Sequence, residues 1–146
     1  MTDVQIVEVS ARDGLQNDPA ILSTAQKLAL IERTVAAGLT RQEVASFVNP
    51  ARVPRMADAE AVLEGLAAAE GRDAASFIGL VLNARGFERA AQTRVDEVNL
   101  VVVASDTFSR KNQGMATEDT VRTVEAVAPL ALAAGIEPTV TISAAY

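Results

Sequence analysis

The sequence predicts an α/β protein built on a parallel sheet, and three observations carry that expectation. Strand-like and helix-like segments alternate four times along 146 residues, and a fifth strand-like run follows. The segment "EVNLVVVAS" (97–105) is a nearly continuous run of Val and Leu, the pattern of a strand covered on both faces. The chain then stops on "PTVTISAAY" (138–146), a strand with no helix after it. A doubly wound open sheet and the first half of a (β/α)₈ barrel both fit the alternation. The stop on a strand favours the half barrel, whose complete form needs roughly 250 residues.

Each element follows from local chemistry. "VQIVEVS" (4–10) is β-branched and reads as the first strand. "STAQKLALIERTVAAG" (23–38) has helical periodicity, with Ser23 as N-cap and Gly38 as stop. A short strand is expected around residues 40–46, then a loop, "FVNPARVPR" (47–55), stiffened by Pro50 and Pro54, and a helix over 58–70. "ASFIGLVL" (75–82) reads as the third strand and "ARGFERAAQTR" (84–94) as a helix weakened at Gly86. The fourth strand, 97–105, leads through "SRKN" (109–112), which reads as an exposed loop. A helix over 117–135 would take Thr117 as N-cap and be kinked or divided by Pro129. The whole chain is expected to be one partial barrel domain ending after strand five.

Composition narrows the chemistry. Thirteen basic and nineteen acidic residues give a net charge of −6, which opposes binding to nucleic acid or to an anionic membrane. There is no Cys and no His, so within these residues there is neither a disulfide, nor a thiolate, nor an imidazole base. Carboxylates, Arg, Lys, Ser, Thr and Tyr must do any catalytic work. The N-terminus lacks a signal-peptide pattern and no run is long and apolar enough to span a bilayer, so a cytoplasmic location is expected.

In either architecture the working rim lies at the C-terminal ends of the strands. Polar residues collect there: Arg12, Asp13 and Gln16 after the first strand, Glu43, Ser46 and Asn49 after the second, and Asn83 after the third. Ser105, Asp106, Ser109, Arg110, Lys111 and Asn112 follow the fourth, and Ser143 and Tyr146 close the fifth. Each has an ordinary structural reading, as a turn, a surface ion pair or, for Asn83, a helix cap. Glu43 could be a solvated strand residue or a buried carboxylate paired with Arg12. A guanidinium beside a carboxylate suits a reaction that builds negative charge on a carbonyl oxygen, with Asp13 holding Mg²⁺ or Mn²⁺ and Arg12 facing an enolate. One protein carboxylate cannot fix a metal, so such a site is incomplete in this chain.

The blocks "VEVSARDGLQN" (7–17), "SFVNPARVPRMAD" (46–58), "LNARGFERA" (82–90) and "ASDTFSRKN" (104–112) together resemble 3-hydroxy-3-methylglutaryl-CoA lyase, one of the metallolyase barrels marked by Arg-Asp at the first strand. The resemblance runs along essentially the whole chain. It implies divalent-metal-dependent retro-Claisen cleavage of 3-hydroxy-3-methylglutaryl-CoA to acetyl-CoA and acetoacetate, as in leucine degradation. By position, Asp13 would be a metal ligand and Arg12 the enolate-stabilising group. Gln16 and Glu43 would support that Arg and the polar end of the substrate. Asn83, Ser109, Lys111 and Asn112 would lie near the acyl-CoA. A homodimeric parent protein is expected.

Two departures stand out. The family's other ligands, a His-x-His pair and an Asn, and its catalytic Cys are absent from these residues, so the piece alone is expected to be inactive. The strand-five position that carries an Arg in the family reads Thr139, which leaves room for a longer 3-hydroxy-3-alkylglutaryl-CoA. The rivals are a Claisen synthase making a 2-alkylmalate-like acid, which would share Arg12 and Asp13 but not the 46–58 block, and a non-catalytic α/β binding module. A half barrel exposes two strand edges with apolar faces. The isolated chain is therefore expected to self-associate, as sedimentation would show; a monomer with a cooperative melt would contradict the half-barrel fragment.

Overall fold

The computed structural model describes residues 4–70 and 72–145. Residues 10–17 form a tight helical turn, a five-residue π-type segment at Ser10–Gly14 running into the one-turn α1, Leu15–Asn17. Then come α2 (Thr24–Ala36), β1 (Arg41–Ser46), α3 (Ala59–Ala68), β2 (Ser76–Val81), α4 (Ala84–Ala90), β3 (Glu97–Val103), α5 (Asp106–Gln113), α6 (Thr117–Ala133) and β4 (Glu137–Ser143). The four strands are parallel and lie in strict sequence order, β1-β2-β3-β4. Unbroken sequential order has no reversal point, so the doubly wound alternative is excluded and the half-barrel architecture holds.

The two faces of the sheet differ as a barrel requires. Outward side chains, Val44, Phe77, Val81, Val98 and Leu100, are buried and form one core with Ile31, Leu63, Leu66, Phe87, Val127 and Ala131 of the helices. Each of the large aliphatic groups contributes roughly 1.5–3 kcal/mol relative to exposure. Gly79 is needed in this layer, because a Cβ there would come within 2.7 Å of the Phe47 ring. Inward side chains alternate with these and face a cleft.

Four local expectations are corrected. The run 4–10 forms only a single parallel bridge, Glu8 to Gln42, with Glu8 N–H donating to Arg41 O at 2.9 Å and Glu43 N–H to Glu8 O at 2.8 Å. Pairing ends there because the chain turns at once into the 10–14 segment, where Ser10 N–H donates to the Glu8 carboxylate at 2.7 Å. Residues 109–112 are helical within α5. Ser105 caps it weakly, its Oγ accepting from Phe108 N–H at 3.4 Å, and Gly114 ends it in the left-handed conformation (φ 74°). Thr117 does not cap α6; its hydroxyl donates to Val103 O at 2.7 Å and ties the helix to the end of β3. Pro129 leaves α6 unbroken. Both Pro129 and Glu125 are exposed, so the carbonyl that loses its partner faces water. Tyr146 lies outside the described residues. Among the described residues, no helix is long and apolar enough to cross a membrane.

Ser23 caps α2 as expected, in a capping box with Gln26. Two clamps then fix the loop after β1. The buried Lys27 of α2 pairs with Asp58 and donates to Arg55 O at 2.5 Å. Arg89 of α4 grips Glu60 through two hydrogen bonds of 2.6 and 2.9 Å, donates to Val48 O at 3.0 Å and lies over the Phe47 ring.

The Arg89 hydrogen bonds hold the Glu60 carboxyl below the ordinary glutamate value. A lowered carboxyl pKa stabilises the fold above the unfolded value, roughly pH 4.3, and that contribution is lost as pH falls through the folded value. Glu60→Gln should therefore cost up to about 1 kcal/mol at neutral pH, given that the pair is partly exposed. The gap to wild type should close in acid, as urea midpoints between pH 7 and 3 would show.

Candidate active site

The concave face of the sheet and the loops at its C-terminal end enclose a cleft of about 930 Å³. Strand alternation decides which groups reach it. On β1 these are Arg41 and Glu43, on β3 Glu97 and Asn99, on β4 Thr139 and Thr141, while Ile78 and Leu80 of β2, between β1 and β3, give an apolar strip. Arg12 and Asp13 enter from the 10–14 turn.

Two polar chains cross the cleft. The first starts at Arg12, whose Nε donates to Glu43 Oε1 and whose Nη1 donates to Asp13 Oδ1 at 3.0 Å. The Glu43 side chain is only 3% exposed, and an unpaired carboxylate there would cost several kcal/mol. Its second oxygen accepts from Asn99 Nδ2 at 2.7 Å, and Asn99 Oδ1 accepts from Thr141 Oγ1 at 3.0 Å. The second chain lies toward the N-terminal ends of the strands. Glu97, also buried, receives a fork from Arg41 through Nε at 3.0 Å and Nη2 at 2.6 Å, and a third bond from Thr139 Oγ1 at 2.7 Å. These bonds to Glu97 raise the Arg41 pKa further, so its charge is fixed.

Six of the sequence-derived site residues, Arg12, Asp13, Gln16, Glu43, Asn83 and Asn112, line this one cleft. Gln16 presents a buried Oε1 with no hydrogen-bond partner among the described residues. Asn83 does cap α4, accepting from Gly86 N–H at 2.9 Å, and lines the cleft as well. Ser109 is buried on the inner side of α5 and Lys111 is exposed on its outside; neither lines the cleft. The sequence reading passed over Asn99, Thr141, Arg41 and Glu97 as site residues. Asn99 carried a signal, as the one polar interruption inside an otherwise apolar strand core.

The metal expectation can be tested on these residues. Asp13 is a half-exposed carboxylate with one oxygen engaged by Arg12, and both Glu43 oxygens are taken. Among the described residues no three His, Cys, Asp or Glu side chains cluster as a metal site. The residues present do not by themselves fit a divalent ion.

A half barrel whose strand ends converge on a guanidinium and a buried carboxylate belongs to the enzyme-bearing (β/α)₈ class. The chain belongs to the HMGL-like family, whose model matches residues 3–146. It is 44% identical over 119 residues to an (R)-citramalyl-CoA lyase of Chloroflexus aurantiacus, covering 77% of this chain and 38% of that protein. It is 39% identical over 116 residues to a 3-hydroxy-3-isohexenylglutaryl-CoA/hydroxy-methylglutaryl-CoA lyase of Pseudomonas aeruginosa, covering 80% and 38%. Among solved structures, an HMG-CoA lyase from Acinetobacter baumannii in complex with coenzyme A and 3-methylmalate superposes with a TM-score of 0.86 at 29% identity, covering 97% of this chain and 47% of that one. The chain thus spans less than half the length of these relatives.

Replacing Arg41 with Met would leave Glu97 buried with one hydroxyl partner and should cost about 3–5 kcal/mol. The double replacement Arg41→Met with Glu97→Leu should recover most of that loss in urea unfolding, since it removes the unpaired charge.

Proposed function

We propose that these residues form part of a lyase that cleaves 3-hydroxy-3-methylglutaryl-CoA to acetyl-CoA and acetoacetate. The observation that supports this reading best is the Arg12–Glu43 pair at the open end of the cleft beside Asp13. Glu43 fixes the guanidinium through Nε, Asp13 engages Nη1, and Nη2 has no partner among the described residues. A preorganised cation with one donor face free suits an oxyanion that forms only as the reaction proceeds.

In the reaction the tertiary hydroxyl gives its proton to a base, and the oxygen collapses to the ketone of acetoacetate. The bond to the thioester's α-carbon breaks, and its electron pair moves onto the thioester oxygen as an enolate. Protonation at carbon then releases acetyl-CoA. Arg12 faces the enolate oxygen and Gln16 the polar end of the acyl group. Asn83 and Asn112 flank the entrance used by the thioester, with Ser109 and Lys111 supporting that side through α5. A Mg²⁺ or Mn²⁺ ion at Asp13 belongs to this reading only with ligands supplied from outside these residues, and no step above is routed through it. The 146 residues alone are inactive on this reading. The role in leucine degradation, the cytoplasmic location and the homodimeric parent belong to the same proposal.

The 44% identity to a citramalyl-CoA lyase favours a second reading, in which the same carbon–carbon cleavage acts on that thioester. The full-length protein should be assayed with 3-hydroxy-3-methylglutaryl-CoA, 3-hydroxy-3-isohexenylglutaryl-CoA and (R)-citramalyl-CoA, with acetyl-CoA release followed by chromatography. The highest kcat/KM is expected with the first; preference for citramalyl-CoA would replace it with the second reading, and no release from any would sink the lyase. Arg12→Lys, which loses the planar fork, should lower kcat by about 10²–10³-fold with a smaller change in KM.

A further inference from the structure

The carboxylate that holds Arg12 is itself held from two strands away on the same face of the sheet. We propose that Asn99, braced by Thr141, is a positioning residue that acts on Arg12 through Glu43; its importance for turnover rests on the lyase reading above.

Donor and acceptor chemistry fixes the direction of this chain. An ionised Glu43 can only accept, so the Asn99 amide must turn Nδ2 toward it, at 2.7 Å. That leaves Oδ1 facing β4, where it accepts from Thr141 Oγ1 at 3.0 Å. Glu43 thus sets the amide orientation, and the Thr141 hydroxyl, which can donate or accept, braces it by donating to the oxygen left facing β4. With Asn99 in place, the Glu43 carboxylate is bonded at both oxygens, one to Asn99 Nδ2 and the other to Arg12 Nε. Without Asn99, the second oxygen is unsatisfied in a nearly closed site, and rotation toward solvent would carry Oε1 away from the guanidinium. Arg12 stands on a turn anchored by the buried Ala11, with Nη1 engaged by Asp13 of the same turn, while its Nε is held from β1 by Glu43. The hold on Nε comes from β1, with Asn99 of β3 and Thr141 of β4 behind it.

A residue that merely filled a buried hydrogen-bonding requirement would affect stability and leave the Arg12 geometry and the catalytic step alone. Positioning predicts otherwise. In the full-length protein Asn99→Leu should lower kcat on 3-hydroxy-3-methylglutaryl-CoA by about 10–100-fold, the range for a lost hydrogen bond to a charged group, with KM changed less than about 3-fold. Thr141→Val should fall in the same direction by a smaller factor, and Thr141→Ser, which keeps the hydroxyl, should restore it. In a Glu43→Gln background, Asn99→Leu should lower kcat by less than about 3-fold, because its route to Arg12 is already cut. A crystal structure of full-length Asn99→Leu supplies a readout independent of turnover: the Glu43 carboxylate should leave its wild-type rotamer and Arg12 Nε should lose that partner. If Asn99→Leu does not fold, the Thr141 pair carries the kinetic and structural comparison. Unchanged Arg12 and Glu43 geometry, or equal effects of Asn99→Leu with and without Glu43, would overturn the proposal. If the wild-type protein turns over none of the thioesters, the lyase reading fails on its own, while the crystallographic comparison still decides whether Asn99 positions Arg12.

Discussion

The burial of Glu43 is the constraint on which the rest of this half barrel turns. A carboxylate on the inner face of β1, almost closed off from water, cannot remain charged without partners. The partners come from three separate places in the chain: Arg12 from the first turn, Asn99 from β3 and, behind it, Thr141 from β4. Satisfying one charge therefore brings together segments about 130 residues apart, from residue 12 to residue 141. The same requirement places the Arg12 guanidinium at the open end of the cleft, so the energetic demand of the fold and the geometry of the site coincide.

The sheet makes this arrangement possible by separating its tasks by face. Sequential parallel order puts the helices and their aliphatic core on the outside. The inside is then free to carry polar groups at alternate positions of every strand except β2, where Ile78 and Leu80 supply an apolar wall. The cleft therefore presents polar and apolar surface side by side. The loop after β1 completes the enclosure, and the buried Lys27 and the Arg89 clamp keep it in place from two different helices.

Much of this was legible in the residues, and the failures have physical causes. Capping chemistry located α2, because Ser23 and Gln26 form a reciprocal pair that needs no tertiary contact. The Val and Leu run at 97–105 located β3. The helix α5 was missed because "SRKN" is polar throughout and its one buried face rests on Ser109, a small residue with no hydrophobic signal. The first strand was overestimated because β-branched composition reports propensity, whereas pairing depends on neighbours and this segment has one only at Glu8. At the site, Arg12 and Asp13 stood out through their position after the first strand-like run, and Glu43, expected after the second strand, lies within β1. Asn99 and Thr141 did not, because the partner each bonds lies 56 or 42 residues away in sequence.

The second polar chain shows how a charge requirement can be met from a different strand. The strand-five position expected to carry an Arg holds Thr139, and a threonine cannot neutralise a buried carboxylate. Glu97 nonetheless has a full complement of partners, because Arg41 reaches it from β1 with a bidentate fork while Thr139 adds a neutral bond. What the cavity needs at this level is a guanidinium within reach of Glu97, and a parallel sheet lets β1 or β4 supply it, since inward side chains of both point into the same space. With Thr139 at this position, Glu97 is therefore not left unpaired. With the cation supplied from β1, the β4 side of the cleft is lined by the short hydroxyls of Thr139 and Thr141.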